Sequence, residues 1–302
     1  MKINWEEKEI SISTEAQLRE FAALINSGEK DFNGCVIVLE NDIKISGGEW
    51  VAIGTPLHHF EGEFDGNGKI IRGVYIDQPD KNYQGLFGYN EGDIKNLGLV
   101  ESKIIGKNYV GGLVGYNIMS RITRSYTVAD VIGDGAVGGL LGKQVFGFIK
   151  NCYSSGNIEG KDFLAGGLIG INCGECAIIN SYFSGKVAYN FGNELIGDLA
   201  GVNAGEIKNC YALKATLGKS PILHLKSFAV EGENGKIEIE DELTEEYIEN
   251  DLVGGSGHYP EIINSELKSE SEMKQQSTYC DWDFNCVWKI DPNINNGFPY
   301  LR

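Results

Sequence analysis

Three carboxylates alternate in the segment 60–68, FEGEFDGNG, where Glu61, Glu63 and Asp65 would share one face of a β-strand. Glycoside hydrolysis uses two carboxylates roughly 5–9 Å apart, and a lyase uses a base beside a neutralising cation, so these three are the catalytic candidates. Any solvated strand shows the same alternation, which is the preferred interpretation. The DGNG at 65–68 carries oxygen ligands that suit calcium, but it lacks the distal glutamate of an EF-hand and favours a β-turn.

The seven cysteines include one close pair, Cys173 and Cys176, in the motif CGEC. This spacing fits a redox pair, half of a zinc site or a turn disulfide, with Cys280 and Cys286 as distant partners. Because no histidine is near and no second close pair exists, structural thiols are the favoured interpretation. The remaining three lie in strand-like runs: Cys35, Cys152 and Cys210.

The histidines lack the spacing with cysteine or acid that a metal centre needs. They are His58, His59, His224 and His258. The first two are adjacent, so on a strand they would face opposite sides. No HExxH, GxSxG, P-loop or strand-to-helix GxGxxG motif is present. Metallopeptidases, triad hydrolases and nucleotide-binding enzymes are therefore poorly supported.

A six-residue motif recurs through the middle of the chain. Its period predicts the strands that position the candidate carboxylates, cysteines and histidines. Its copies are GLFGYN at 85–90, GLVGYN at 112–117, GLLGKQ at 139–144, GLIGIN at 167–172 and DLAGVN at 198–203. A second motif follows each copy: IKNLG at 94, ITRSY at 122, IKNCY at 149, IINSY at 178 and IKNCY at 207. A period near 27 residues is too short for a propeller blade and has no helical pattern. It predicts an all-β fold, a right-handed parallel β-helix (β-solenoid) with coils of about 27 residues.

Residues at equivalent positions of successive coils should stack into columns along the solenoid. A leucine column predicts a core, and a glycine column predicts a corner or close packing between sheets. The leucines are Leu86, Leu113, Leu140, Leu168 and Leu199, and the glycines are Gly88, Gly115, Gly142, Gly170 and Gly201. An asparagine column predicts amide bonds between coils, with an irregularity where Arg124 interrupts it. Its members are Asn96, Asn151, Asn180 and Asn209.

Two tyrosine columns are the candidates for ligand binding. The first contains Tyr89 and Tyr116 and continues through other side chains, Lys143, Ile171 and Val202. Because this position varies, the column is expected to face outward, where tyrosine rings can receive the face of a sugar. The second column is regular, so interior or edge packing explains it best, with a binding groove as the alternative. Its members are Tyr126, Tyr153, Tyr182 and Tyr211.

Both ends of a solenoid need covering, because bare core and unpaired strand edges aggregate. Thr14 to Gln17 matches a capping box, and the helix that follows would plug the N-terminal end. Its apolar face would consist of Leu18, Phe21, Ala22 and Ile25. Near the other end, aromatic side chains around Trp282 and Trp288 predict an aromatic C-terminal cap. One structural domain is expected, with cap helix and coils over 1–213, an acidic irregular insertion over 214–280 that holds one further coil at most, and the cap over 281–302.

The net charge of −17 argues against nucleic acid as a partner, because phosphate contacts need cations. About half of that charge lies between Glu231 and Asp251, which is the contact expected if the chain binds or blocks a basic partner. The contact residues would be Glu238, Glu240, Asp241, Glu242, Glu245 and Glu246. No apolar run reaches the roughly 18 residues of a membrane span, so no membrane insertion is expected. The start of the chain has no apolar core of a signal peptide.

The G-L-x-G units, the segment FEGEFDGNGKIIRGVYI at 60–76 and the closing WDFNCVWKIDPNINNGFPYL at 282–301 resemble the GLUG-repeat proteins over nearly the whole chain. The resemblance implies a bacterial protein, secreted or at the cell surface, of adhesin-like habit. The repeat also accompanies some immunoglobulin-cleaving metallopeptidases, from which this chain departs by having no HExxH. A cytoplasmic location is not excluded by the sequence.

These observations favour a non-enzymatic adhesion or recognition module that binds a glycan or a surface protein. The alternatives are a polysaccharide lyase or glycoside hydrolase acting through the carboxylates at 61, 63 and 65, and an acidic protein that binds a basic partner. No cofactor is expected apart from calcium, for which the turn at 65–68 is a weak candidate.

Overall fold

The computed structural model describes residues 2–4, 8–161, 164–189, 195–213 and 262–302. Within these ranges the chain is a parallel β-solenoid, as its repeat predicts. Each complete coil passes through three sheets, A, B and C, and then returns to A one rung further along the axis.

The strands are numbered in chain order. Among the described residues, sheet A consists of β1 (Lys2–Asn4), β2 (Glu9–Ile12), β3 (Val36–Leu39), β5 (Glu63–Asp65), β8 (Phe87–Asn90), β9 (Asp93–Lys95), β12 (Val114–Thr123), β15 (Leu141–Lys150), β19 (Ile169–Asn172), β20 (Cys176–Ile179), β24 (Ala200–Asn203), β25 (Glu206–Lys208) and β27 (Ile262–Ile263). Sheet B consists of β4 (Ile43–Lys44), β6 (Ile70–Arg72), β7 (Tyr75–Asp77), β10 (Gly98–Ile105), β13 (Tyr126–Gly133), β16 (Tyr153–Ser155), β17 (Asn157–Gly160), β21 (Tyr182–Phe183), β22 (Lys186–Tyr189), β26 (Tyr211–Leu213) and β28 (Glu266–Lys268). Sheet C consists of β11 (Asn108–Gly111), β14 (Gly135–Gly138), β18 (Leu164–Gly166) and β23 (Leu195–Gly197), and β29 (Trp288–Lys289) pairs with β30 (Tyr300–Leu301).

Successive coils pair in parallel at the spacing of the repeat. Val114 lies opposite Phe87 on one side and Leu141 on the other, each 27 residues away. One continuous hydrophobic core fills the interior and includes the whole leucine column, which is fully buried. The glycine column reflects close packing, because a Cβ on Gly115 would lie 2.8 Å from the backbone of Gln84.

The asparagine column forms a left-handed corner. Its members have φ near +50°, a conformation that asparagine tolerates better than most residues, and the amides of Asn180 and Asn209 bond across coils at 3.2 Å. Arg124 has φ +48°, and its N–H donates to the carbonyl of Lys150 in the next coil. The predicted irregularity at Arg124 is therefore wrong, since backbone hydrogen bonding and not the amide fixes the corner. The column also extends to Asn264, whose Nδ2 donates to Asn209 Oδ1 at 3.3 Å.

A second amide column lies inside the solenoid, where the last residue of each six-residue motif points. Asn90 Nδ2 donates to Asn117 Oδ1 at 2.7 Å, and Asn172 Nδ2 donates to Asn203 Oδ1 at 2.7 Å. Gln144 lies between these two pairs, fully buried, and neither polar atom of its side chain has a hydrogen-bond partner among the described residues. The longer side chain thus divides the column in two.

The N-terminal helix α1 (Glu15–Asn26) begins at Thr14, whose hydroxyl accepts from Gln17 N–H, and buries its predicted apolar face. The Phe21 ring packs against Phe60 and Phe64 in the core. The Glu15 carboxylate accepts from the N–H groups of residues 46 and 47, just after β4, so the helix lies beside the first strand of sheet B. The sequence did not predict β2, a strand that precedes the helix and pairs in parallel with β3.

Residues 262–268, inside the predicted insertion, form one further rung, since β27 extends sheet A and β28 extends sheet B. The chain then continues through a short helix, α2 (Glu270–Met273), and two 3₁₀ turns, Gln276–Thr278 and Asn295–Gly297. Residues 269–302, here called the C-terminal segment, carry the predicted aromatic cap and pack on the outer face of sheet B. The described helices include none long and apolar enough to cross a bilayer.

Candidate functional site

Tyr89 in β8 and Tyr116 in β12 occupy the same position of adjacent coils, as their shared place in the repeat predicts. Their rings stack with centroids 4.9 Å apart and planes 12° from parallel. Both rings lie on the outer face of sheet A, whereas the neighbouring Phe87 and Asn90 are buried in the interior. Each of the two tyrosines remains partly exposed.

A second tyrosine pair completes what we call the tyrosine cluster: Tyr83, Tyr89, Tyr109 and Tyr116. Tyr83 and Tyr109 stack on each other at 5.3 Å. Their edges meet the first pair, with Tyr83 at 5.8 Å from Tyr89 and Tyr109 at 5.4 Å from Tyr116. The four rings form a compact surface that spans two coils.

The backbone at the second pair is strained. Tyr83 has φ +61° and Tyr109 has φ +58°, a region that bulky side chains rarely adopt. Backbone strain of this kind costs about 1–3 kcal/mol per residue and is concentrated at functional sites. Burial, and after it the Glu91 carboxylate, raises the pKa of Tyr89 further above neutrality, and its protonated hydroxyl can donate a hydrogen bond.

A lysine lies at one end of the tyrosine cluster and a histidine at the other. At one end Lys143 is almost fully buried, with its Nζ 5.5 Å from the centre of the Tyr116 ring and 5.6 Å from that of Tyr109. At the other end the His59 ring lies 5.7 Å from Tyr89. Lys143, Ile171 and Val202 all depart from the expected outward exposure. Ile171 and Val202 pack in a second hydrophobic cluster with sheet C residues, and Lys143 is buried with its Nζ over the rings of Tyr109 and Tyr116.

A polar cleft of about 390 Å³, here called the N-terminal cleft, begins at His59. It lies between the end of α1, the turn at 28–35 and the turn at 57–61. Its lining consists of Ile25, Gly28, Glu29, Lys30, Asp31, Phe32, Asn33, Cys35, Leu57, His58, His59 and Glu61. Cleft and tyrosine cluster therefore form one surface, joined through the contact of His59 with Tyr89.

The three catalytic candidates do not form one group. Glu61 lies in the cleft, where it accepts from Asn33 Nδ2 at 2.8 Å and lies 3.3 Å from His59 Nε2. Glu63 and Asp65 share Lys95, whose Nζ is 2.7 Å from Glu63 and 3.4 Å from Asp65. The alternation thus places two of the three carboxylates in an ion-pair ladder on the outer face of sheet A.

The structure places a second carboxylate, that of Glu91, near Glu61. Glu91 Oε1 lies 3.4 Å from His59 Nε2, so one imidazole contacts two glutamates. His58 and His59 lie in a turn and not on a strand as expected, because the chain bends between Thr55 and His58 through two mutual hydrogen bonds. Sequence spacing gave no sign of Glu91, since it arrives from the next coil.

The calcium and cysteine candidates have structural partners. Asp65 Oδ1 accepts from Asn67 N–H at 2.7 Å, and Lys69 N–H donates to Gly66 O, which makes DGNG a turn. Cys173 and Cys176 are both buried, and burial raises the pKa of the Cys176 thiol to about 12. Within the described ranges, no group of three or more His, Cys, Asp or Glu side chains could hold a metal.

The second tyrosine column is covered by the chain itself. Tyr126, Tyr153 and Tyr182 stack at 4.7 and 4.9 Å, and the C-terminal segment lies over the column from Tyr153 onward. Tyr182 donates to the carbonyl of Pro299 at 2.5 Å, and the Tyr211 hydroxyl accepts from Cys280 N–H. The binding-groove alternative for Tyr153, Tyr182 and Tyr211 is therefore not supported, because these rings are buried packing surface.

Sequence reasoning missed Tyr83 and Tyr109, although a signal was present. The tripeptide KNY occurs at 81–83 and again at 107–109, each time a few residues before a G-L-x-G unit. Each KNY tripeptide thus adds a tyrosine a few residues before the tyrosine of the six-residue motif, and this repeated pairing indicates a tyrosine surface formed by two adjacent coils. The acidic contact residues between 238 and 246, with His224 and His258, lie outside the described residues.

Comparison with known proteins relates the chain to others chiefly by fold. No protein-family profile matches it, so membership in the GLUG-repeat family stays a prediction. A stretch of 73 residues is 40% identical to a protein of Evansella cellulosilytica provisionally named a Gly-rich membrane protein, over 22% of this chain and 8% of that protein. The chain thus spans less than a tenth of this curated relative.

A solved structure is similar over nearly the whole chain. It is a Bacteroides ovatus protein, provisionally described as an immunoglobulin A1 protease, with a TM-score of 0.62 and 22% identity over 97% of this chain and 91% of that one. At this identity the likeness shows a shared fold alone, the β-solenoid.

Proposed function

We propose that this chain is a recognition module that binds a glycan on the tyrosine cluster. The observation that carries the proposal is the pair of stacked tyrosines, Tyr89 and Tyr116, partly exposed on adjacent coils and framed by a second stacked pair. Aromatic rings bind the apolar faces of sugars, and a rigid β-scaffold holds them without loss of side-chain freedom on binding.

The arrangement suits an extended ligand better than a small one. Adjacent coils are roughly 4.8 Å apart, so Tyr89 and Tyr116 offer neighbouring contacts along the solenoid axis. The hydroxyls of the rings and the carboxylates near His59 supply polar groups at the edges of this apolar surface. A few polar groups around an aromatic surface are typical of sites that fix the orientation of a sugar.

Substitution of the exposed pair tests the proposal. Tyr89→Leu and Tyr116→Leu keep apolar bulk but remove the ring, and each should weaken binding on a glycan array about tenfold or more. Tyr75→Leu is the matched control, because Tyr75 is 44% exposed on sheet B, away from the tyrosine cluster. Unchanged binding by a folded Tyr89→Leu, Tyr116→Leu double variant would exclude this surface.

The second candidate is a glycan-cleaving enzyme, and one observation favours it. Glu61 and Glu91 each approach His59 Nε2 within 3.4 Å, so their carboxylates are close enough to act on one glycosidic bond. Release of reducing ends from a bound glycan, abolished in Glu61→Gln and Glu91→Gln, would establish this activity. Retention of the glycan without cleavage would leave the binding module as the function.

We also propose that the module acts at a cell surface or outside the cell. The GLUG-repeat resemblance and the short match to a Gly-rich membrane protein support this location. Fractionation of cells that express the full-length gene, with an antibody against this chain, tests it. Recovery in the soluble cytoplasmic fraction alone would contradict the location and leave the binding site itself unaffected.

A further inference from the structure

The N-terminal cleft continues the tyrosine cluster, and its chemistry differs from that of the rings. Its side chains include three carboxylates, from Glu29, Asp31 and Glu61, against one ammonium group, from Lys30. A fourth carboxylate, Glu91, contacts His59 at the junction. The cleft is therefore an acceptor-rich, negatively charged end of an otherwise apolar surface.

The acceptors are held in place by local hydrogen bonds. Asp31 Oδ1 accepts from Asn33 N–H at 2.9 Å, which fixes the turn, and Asn33 Nδ2 donates to Glu61 Oε2 at 2.8 Å. A carboxylate has about four acceptor positions, so Asp31 and Glu61 each retain capacity for a ligand. At about 390 Å³ the cleft falls within the range of roughly 300–1,000 Å³ typical of small-molecule pockets.

Charge decides which ligand can enter. An ammonium or a hydroxyl donates to carboxylates, whereas a carboxylate, sulfate or phosphate would meet like charges at short range. The overall charge of −17 adds repulsion against any polyanion at low salt. The tyrosine rings alone would not distinguish these ligands, because the apolar face of the sugar ring is common to all of them.

We propose that the cleft determines specificity and takes a neutral or amino-bearing sugar at the end of a glycan whose neighbouring ring lies on Tyr89, and that it excludes carboxylated glycans. This inference rests on the proposed function, since the tyrosine cluster holds the rest of the chain. Glu61 makes the discriminating contact, because it lies in the cleft beside His59, which in turn touches Tyr89. Asp31 supplies the second carboxylate.

Three oligosaccharides with one backbone test the proposal: cello-oligosaccharides, their carboxylated form oxidised at the primary alcohol, and the glucosamine oligomers. Fluorescence polarisation at low salt should show the glucosamine oligomers binding about tenfold more tightly than the neutral ones, with no binding of the carboxylated form. Added salt should weaken binding of the amino form only.

Glu61→Gln should bring the affinity for the glucosamine oligomers down to that for the neutral ones, which it leaves within twofold. Glu159→Gln, a half-buried carboxylate on β17 of sheet B, is the matched control and should change nothing. Thermal unfolding of both variants verifies that they fold.

The outcomes separate the two proposals. Binding of the carboxylated form as tight as that of the amino form, lost on Tyr89→Leu, overturns the charge selection and leaves glycan recognition standing. An amino preference that survives both Glu61→Gln and Asp31→Asn places the selection elsewhere and overturns the role of the cleft. Absence of binding to all three ligands contradicts both the inference and the proposed function for this backbone.

Discussion

Replacement of Gln144 by asparagine should stabilise this solenoid. The buried amide column is complete on either side of this residue, with hydrogen bonds of 2.7 Å from Asn90 to Asn117 and from Asn172 to Asn203. Both polar atoms of the Gln144 side chain and Asn172 Oδ1 lack partners among the described residues. An asparagine in register could donate to Asn172 Oδ1 and accept from Asn117 Nδ2, which would join the two halves.

The size of the effect follows from three contributions. Two additional hydrogen bonds contribute about 0.5–1.5 kcal/mol each, and satisfying buried polar atoms removes a cost of about 1–3 kcal/mol. The lost methylene costs about 1 kcal/mol through reduced burial and a small void. The free energy of unfolding should therefore rise by about 1–5 kcal/mol, which at about 2 °C per kcal/mol corresponds to an increase in Tm of roughly 2–10 °C.

Urea unfolding followed by circular dichroism, together with calorimetry, measures this change. Gln144→Met is the matched control, because it removes the unpaired amide at similar volume without completing the column. The asparagine variant should exceed the methionine variant, since only asparagine pairs with Asn172. Equal stability of the two variants would show that removal of the amide suffices, and a loss of stability in Gln144→Asn would refute the argument.

Three further predictions concern other parts of the fold. Arg124→Asn should raise the free energy of unfolding by about 1 kcal/mol, because asparagine tolerates φ +48° and can join the amides on either side; urea unfolding with no gain would contradict this. Trp288→Ala should cost about 3–5 kcal/mol, since this side chain is fully buried over the tyrosine column, and an unchanged unfolding midpoint would show that the C-terminal segment contributes nothing. Burial raises the pKa of three thiols from 9.0 to about 12. Between these two pH values the native state retains protons that the unfolded state loses, so the free energy of unfolding should be at its full value below pH 9 and fall between pH 9 and 12. A free energy of unfolding that stays constant over this range would refute the prediction. These thiols are Cys152, Cys176 and Cys210, which should also resist Ellman's reagent at pH 8 while the exposed Cys280 and Cys286 react.

The fold could be predicted because every coil of a solenoid has the same strands and buried positions, so the same residue pattern recurs in the sequence. Each coil must bury the same positions, so the leucine column shows in the sequence as a period and in the structure as a continuous core. The register of Val114 with Phe87 and Leu141 equals the spacing of the motif for the same reason. Arg124 was judged irregular because side-chain identity was taken to fix the corner, whereas the backbone hydrogen bonds do so.

The candidate site was only partly predictable, because periodicity shows which residues stack but not which surfaces the chain covers later. Tyr116 and Tyr153 each stack on a tyrosine of a neighbouring coil, yet Tyr116 remains partly exposed and Tyr153 lies under residues more than a hundred positions further on. Glu91 was missed because its neighbour Glu61 is 30 residues earlier, beyond any local pattern. To predict which residues of adjacent coils are neighbours, the register between the coils must be known, and the short motifs give that register for the strands but not for the turns.

The C-terminal segment changes how this molecule should come apart. In a simple solenoid each coil contacts only its neighbours, so the end coils can fray one at a time. Here Tyr153, Tyr182 and Tyr211, from three successive coils, all pack against one aromatic cluster. Opening any one of these coils disturbs a cluster shared by the others. We therefore expect amide hydrogen exchange across β16, β21 and β26 to slow to a common rate, so that this side of the solenoid opens as a single unit.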